Sequence, residues 1–285
     1  MPNDSDPGPA AQHASRTADP TPAQAAHRRS QEEFERFVQK LHQQALESQE
    51  ERWPLYLQAG LRDAMRVLDL GCGSGAVTAD VVDASGGVVV GVDAAPEMLH
   101  KAQGYLGHRH ATRTCLVTAD GHRLPFPDGV FDAVVCNLFL MWTEEPQGVV
   151  REMARVTRKG GVVLATLEPD FGGKLHFPED PLVDPIFRGE AIRRRGGDPH
   201  IGRKLRMFFV RAGLDTEVGI GNRRIWSTEE DRRSFERARD LYRNMLLANG
   251  LTPDEVEAWE RRQEAEMEEG ISVNFFPQFY ALGRK

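Results

Sequence analysis

The chain has 285 residues, 40% of them hydrophobic, with a formal net charge of −7. That is enough apolar material for one large core, and the acidic balance argues against a nucleic-acid footprint. With no apolar run near the roughly 18 residues that cross a bilayer, no N-terminal signal region and no metal or disulfide spacing among Cys72, Cys115 and Cys136, the expectation is a cytoplasmic, reduced protein without a metal.

Residues 1–29 are rich in Pro, Ala, Asp and Ser and lack aromatic residues. Such a segment buries too little surface to offset its ordering entropy, so it reads as a disordered tail. Order is expected to begin at Ser30, where Ser30-Gln-Glu-Glu33 forms a capping box. Phe34, Phe37, Val38, Leu41 and Ala45 follow at helical spacing. Arg52-Trp-Pro-Leu-Tyr56 then leads into the first strand.

That strand, Val67-Leu-Asp-Leu, runs directly into Gly71-Cys-Gly-Ser-Gly75. Glycines let a ligand lie against bare backbone, and the helix that follows presents unpaired N–H groups to it. Gly71-x-Gly73-x-x-Ala76 also fits the loose dinucleotide fingerprint, so NAD and S-adenosylmethionine both remain open here. Asp69, two residues ahead of Gly71, suits a ligand with an ammonium group better than a pyrophosphate. The next run, Gly87–Asp93, ends in an acid that suits two ribose hydroxyls and serves either cofactor. Asp93 also reads as an N-cap for the helix started by Pro96. A third run, Thr114–Gly121, ends in Asp120 beside Gly121, a pair suited to an adenine edge and absent from the dinucleotide fingerprint. A turn former is the lesser alternative for Asp120.

Strands and helices alternate from about 66 to 167, as in a parallel doubly wound sheet. Thr143-Glu-Glu-Pro146 opens a helix with Val149, Val150, Met153, Ala154 and Val156 on one stripe. Arg158 and Lys159 suit its C-terminal end, and Gly160 is expected to stop it. Val162–Leu167 reads as a central strand. Residues 168–200, rich in Pro, Gly and charge, are placed over or beside a substrate pocket at the carboxyl edge of the sheet. Arg203–Ala212 reads as the last sheet-covering helix, and a strand follows at about 214–220. Residues 227–270 read as a helical insertion with capping boxes at Ser227–Glu230 and Thr252–Glu255. The acids between Asp254 and Glu269 read as a solvated face, and Val256, Trp259 and Met267 as its packed side. Ser272–Leu282 reads as a strand.

With these residues in view, the chain resembles the class I S-adenosylmethionine-dependent methyltransferases. It is most similar to the small-molecule group that includes the ubiquinone and menaquinone-biosynthesis enzymes. The resemblance is carried by Val67–Gly75, Gly91–Leu99, Ala119–Gly121, Leu124–Asn137 and Arg155–Leu164. It implies a Rossmann-like, doubly wound α/β fold with a seven-stranded sheet, mostly parallel, whose last strand is antiparallel. One domain over 30–285 would carry lid or insertion segments at 168–200 and 227–270. S-adenosyl-L-methionine would be the methyl donor and S-adenosyl-L-homocysteine the product. Asp69 and glycines 71, 73 and 75 would hold the methionine end, Asp93 the ribose, and Asp120 with Gly121 the adenine. Asn137, at the end of the fourth strand, would lie near the sulfonium. Cys72, Ala94, Met98 and Ala119 complete the expected contact set, with Cys72 a small loop-filling residue rather than a nucleophile. The family's N-terminal helix packs over the cofactor or helps close the substrate pocket; covering the sheet is the plain alternative.

The sulfonium already activates its methyl group, so the protein has mainly to align a nucleophile. A base is needed only for a protonated nucleophile such as a phenol or thiol. Candidates are His200, His176, Asp170 and Glu168, each of which also reads as a loop or capping residue. Arg193–Arg195 suits an acidic substrate, or simply a solvated helix face. Cys136-Asn-Leu-Phe-Leu-Met-Trp142 lacks the Pro-Pro-aromatic signature of nucleic-acid amino-methyltransferases. The expected partner is therefore a small organic acceptor, with no nucleic acid. A methyltransferase acting on RNA or protein, a noncatalytic cofactor-binding sensor or scaffold, and an NAD-dependent oxidoreductase are the alternatives.

Overall fold

Alternating strands and helices need a sheet covered on both faces, and the computed structural model has one. It describes residues 22–62, 65–184, 188–222, 225 and 228–285. The elements are α1 (Pro22–Glu47), α2 (Gln49–Ala59), β1 (Arg66–Leu70), α3 (Ala76–Ser85), β2 (Val88–Asp93), α4 (Pro96–His110), β3 (Thr114–Thr118) and β4 (Phe131–Asn137). They continue with α5 (Pro146–Val156), β5 (Thr157–Pro169), β6 (Leu175–Phe177), α6 (Glu190–Arg193), α7 (Leu205–Arg211) and β7 (Asp215–Ile220). The last are α8 (Thr228–Ala248), α9 (Pro253–Glu269), β8 (Val273–Phe275) and β9 (Gln278–Arg284). Contacts group the chain into residues 1–40, described from Pro22 as the first part of α1, and residues 41–285, which hold the sheet.

The seven-stranded sheet has the order β3-β2-β1-β4-β5-β9-β7. β9 runs antiparallel between β5 and β7, and the pairings from β3 through β5 are parallel. Side chains alternate across the strands. Leu68, Leu70, Val134, Cys136, Val163 and Ala165 face α5 and α7 in one core, with Met153, Leu205 and Phe209. Val67, Ala133, Val135, Val162 and Leu164 face α2 and α3 in the other, with Leu55, Tyr56, Val81 and Val82. Strand order reverses between β1 and β4, and ligands of open α/β sheets bind at such a switch, beyond the carboxyl ends of the strands.

Several boundaries differ from expectation. α1 starts at Pro22, so the Ser30–Glu33 box lies inside the helix rather than at its start. Pro at a first turn followed by Ala-Gln-Ala-Ala favours helix whatever the segment's capacity for burial. Residues 1–21 of the expected tail lie outside the described residues. α5 ends at Val156, not Gly160: Thr157 is already extended and pairs with Phe131, and its Oγ1 donates to Met153 O at 2.7 Å. Arg158 therefore lies in β5, where it bonds Asp132 at 2.6 Å. The expected strand at 272–282 is split into β8 and β9 around Phe276-Pro277, because proline has no N–H to give a ladder. The second capping box forms as read, with Thr252 and Glu255 bonded reciprocally. Ser227 of the first lies outside the described residues.

β6 and β8 form a separate two-stranded antiparallel sheet. α8 and α9 pack together through Phe235, Tyr242, Met245, Leu246, Val256, Trp259 and Met267. Arg243 and Arg239 bridge to Glu260 and Glu264 along their flank.

Candidate functional site

Four loops meet at the carboxyl ends of β1, β2, β3 and β4. Gly71, Gly73 and Gly75 all have φ in the left-handed region, at 73°, 51° and 84°. The turn is anchored to β2: Gly71 N and Cys72 N both donate to Val92 O, at 2.8 and 3.0 Å. A Cβ at Gly75 would lie 3.0 Å from the Ala102 backbone, so this glycine also lets α4 close on the loop. Cys72 is buried against Gly91, and burial pushes its thiol far up, which excludes it as a nucleophile.

Asp69 is buried and accepts a hydrogen bond from Thr78 Oγ1 at 2.7 Å. Burial raises its carboxyl to about 6, against the opposing pull of Thr78. The nearby cation, Arg52, is paired with Asp80, so among the described residues Asp69 has no ion-pair partner of its own; burial leaves it poorly compensated, and a ligand ammonium would supply the missing charge. Asp93 uses both oxygens on backbone: Gly73 N donates to Oδ2 and Ala95 N to Oδ1, each at 2.9 Å. It thus ties the glycine loop to the start of α4, beside exposed Ala94 and buried Met98. Ala119 N donates to Asp93 O at 3.1 Å, which joins the third loop to the second. Asp120 is exposed and accepts from the His122 N–H and ring at 2.9 and 2.8 Å, bonds that hold its carboxyl below the usual range.

Phe139 joins two of these loops. Its ring lies 2.2 Å from the place a Cβ at Gly71 would occupy and 3.3 Å from that of Gly121. No motif marks Phe139 in the sequence; the signal available was a pair of glycines on separate loops, each leaving room for the same ring. Asn137 accepts from Thr166 Oγ1 at 2.8 Å. Beyond it, Leu138 and, on the neighbouring strand, Leu167 have positive φ of 49° and 55°. Strained leucines at the ends of adjacent strands are a feature of functional sites.

The candidate bases are placed less favourably. Glu168 is fully buried, and its carboxylate accepts the N–H groups of Phe139, Leu140 and Met141 at 2.9, 2.9 and 3.3 Å. Burial lifts it to about 7 despite those bonds. It is an anchor for the turn that carries Phe139. Asp170 is held by Arg203 through two bonds, at 2.5 and 2.7 Å, and by Gly172 N at 3.0 Å. Burial would raise its carboxyl, but these partners hold it below the usual range, which makes it a weak base. His200 lies between Asp170, 3.4 Å from Nδ1, and Arg193, which donates to Nε2 at 2.8 Å. His176 stands apart on β6, bonded to Asn274 at 2.8 Å, and burial lowers its pKa.

Residues 68–165 match the model of a methyltransferase domain family. An uncharacterised methyltransferase of Schizosaccharomyces pombe is 28% identical over 73% of this chain and 82% of its own. The malonyl-[acyl-carrier protein] O-methyltransferase of Halorhodospira halophila is 36% identical over 53% of this chain and 50% of its own length. Residues 68–165 thus carry a methyltransferase domain. A Haemonchus contortus phosphoethanolamine N-methyltransferase, solved with S-adenosyl-L-methionine, shares this methyltransferase's fold with a TM-score of 0.53. That likeness covers 82% of this chain and 52% of the other at 16% identity. The methyltransferase domain match ends at residue 165, so it includes the glycine loop, Asp93, Asp120 and Asn137, and leaves out Glu168, Asp170, His176 and His200. Among the described residues no helix of this methyltransferase is long and apolar enough to cross a membrane.

Proposed function

We propose that the chain binds S-adenosyl-L-methionine over the loops after β1–β4 and transfers its methyl group to a small organic acceptor. Buried Asp69 carries this reading: it needs a cation at the first glycine of the loop, and the methionine ammonium is one. In this reading Gly71, Cys72, Gly73 and Gly75 offer backbone to the methionine end. Asp93 takes the ribose hydroxyls while bracing the loop, and Asp120 with Gly121 takes the adenine. Ala94, Met98 and Ala119 line the adenosine, and Asn137 faces the sulfonium. The bound cofactor supplies an activated methyl group; the protein supplies alignment and exclusion of water.

Glu168 and Asp170 then act by positioning, one holding the Phe139 turn and the other Arg203 and His200. His200 is the remaining candidate base, and its Nε2 becomes available only when Arg193 turns away. Segments 168–200 and 227–270 supply the cover of the acceptor pocket. Calorimetry with S-adenosylhomocysteine and with NAD tests the donor assignment. S-adenosylhomocysteine should bind and NAD should not, and Asp93→Ala and Asp120→Ala should each weaken the first. Binding of NAD alone would overturn it. Release of S-adenosylhomocysteine with a panel of phenols, amines, thiols and carboxylates tests the transfer.

A further inference from the structure

Behind the glycine loop a second buried acid stands near Asp69. Asp80 lies on α3, two residues beyond the Thr78 that bonds Asp69, and its carboxylate is taken by α2. Oδ1 accepts from Gln49 Nε2 at 2.6 Å and Oδ2 from Arg52 at 2.5 Å. Arg52 is fully buried. Its guanidinium also holds the break between α1 and α2, donating to Ala45 O at 2.6 Å and to Ser48 Oγ at 2.7 Å. The Tyr56 hydroxyl, buried one turn further along α2, lies where the charges of Arg52, Asp80 and Asp69 all reach it.

The charges of this cluster do not cancel. Two buried carboxylates, Asp69 and Asp80, share one buried guanidinium, and Arg52 is bonded to Asp80. At Asp69 the pull of Arg52 is set against the push of Asp93 and Asp80. Asp93 uses both of its oxygens on backbone N–H groups. Thr78 on α3, Tyr56 on α2, Cys72 in the loop and Cys136 on β4 also face Asp69 and bring no cation. Charges are screened little in such an interior. Once Asp69 ionises, the cluster is one positive charge short, and a ligand ammonium would complete it.

We propose that Arg52 is a positioning residue of the methyl-donor site that acts through its charge. Held on Asp80, it offsets that acid and leaves Asp69 short of a single cation, which favours a ligand carrying one ammonium group. The proposal rests on the assignment of Asp69 to the methionine end.

Calorimetry of the full chain with S-adenosylhomocysteine across the acid-to-neutral range tests it on Arg52→Met, Asp80→Asn and the double variant. Wild-type affinity should rise with pH to a midpoint near 6, where Asp69 ionises. Without Arg52 the two acids face each other unopposed, and the midpoint should move up by ~1 pH unit or more. Without Asp80 the guanidinium serves Asp69 instead. The midpoint should then move down by about as much, and affinity at neutral pH should fall ~10-fold or more as Arg52 competes with the ligand's ammonium. The double variant keeps the net charge and leaves no unpaired buried ion, so it should fold, with its midpoint back near the wild-type value and its affinity within ~3-fold of it. A merely mechanical strap between α2 and α3 predicts that all three variants bind more weakly by a similar factor at every pH, with the midpoint unmoved; that result would overturn the proposal. Should the single variants not fold, a folded double variant that has lost ~10-fold or more in affinity would overturn it alone. Wild-type affinity that does not change with pH would remove the Asp69 assignment itself, and the proposal with it.

Discussion

At the scale of single residues the proposed donor site is governed by one buried acid and one aromatic ring. Asp69 titrates near 6 in the ligand-free protein instead of at its ordinary 3.8. The folded chain therefore holds this proton more tightly than the unfolded chain does, and the ligand-free protein loses stability as pH rises from about 4 through 6. The loss is roughly 3 kcal/mol in all. A bound ammonium reverses the preference, so affinity for S-adenosylhomocysteine should rise with pH up to about 6 and level off above it. Asp69→Asn should flatten that profile, weaken binding at least ~10-fold, and raise the melting temperature of the ligand-free protein at pH 8. Calorimetry from pH 5 to 8 beside thermal melts reads all three effects. Gly71 supplies a second test. Gly71→Ala drives a methyl into the Phe139 ring and puts alanine at a φ of 73°. It should abolish cofactor binding. The double variant with Phe139→Ala should recover part of it, since the clash is relieved while the backbone strain of ~1 kcal/mol or more remains.

At the scale of elements, the sheet was legible because buried parallel strands read as apolar runs that end at loops. β1, β2 and β4 are such runs, and Asp69, Asp93 and Asn137 could be found by counting from their ends, as Asp120 could from the edge strand β3. What was not legible depends on partners distant in sequence. Arg158 looked like a helix C-terminal charge because nothing local shows that Asp132 waits for it on β4. Glu168 looked like a candidate base, since its three N–H partners lie 27 to 29 residues earlier. Asp170 and His200 likewise looked available until Arg203 and Arg193 were placed on them. The role of Glu168 is testable. Glu168→Ala would leave three backbone N–H groups beside β5 without their acceptor, and each such loss costs about 1–3 kcal/mol when the group is buried. The variant should lose at least ~2 kcal/mol of stability in denaturant melts. Turnover should fall further than cofactor affinity, because the turn it anchors seats Phe139. Equal stability with lost turnover would instead assign Glu168 to the chemistry.

At the scale of the whole molecule, the proposed donor site is built from the ends of four strands and has no element of its own. The glycine loop hangs from Val92, Asp93 braces it against α4, and Phe139 spans from Gly71 to Gly121. A ligand that satisfies Asp69 and lies along these loops should therefore stabilise the central sheet as one unit. Binding to the folded state alone adds about 2.7 kcal/mol when ligand is at 100 times its dissociation constant. For a chain somewhat larger than those that shift by ~2–4 °C per kcal/mol, the melting point should rise by about 5 °C. S-adenosylhomocysteine should give that shift at pH 8, where ionised Asp69 most needs its partner, and less at pH 5. NAD should give none at either pH, because its pyrophosphate would bring a second negative charge to the loop that Asp69 already makes acidic. A shift of equal size at both pH values would mean that the ligand does not touch Asp69, and the assignment of the methionine end would fall while the rest of the site stood.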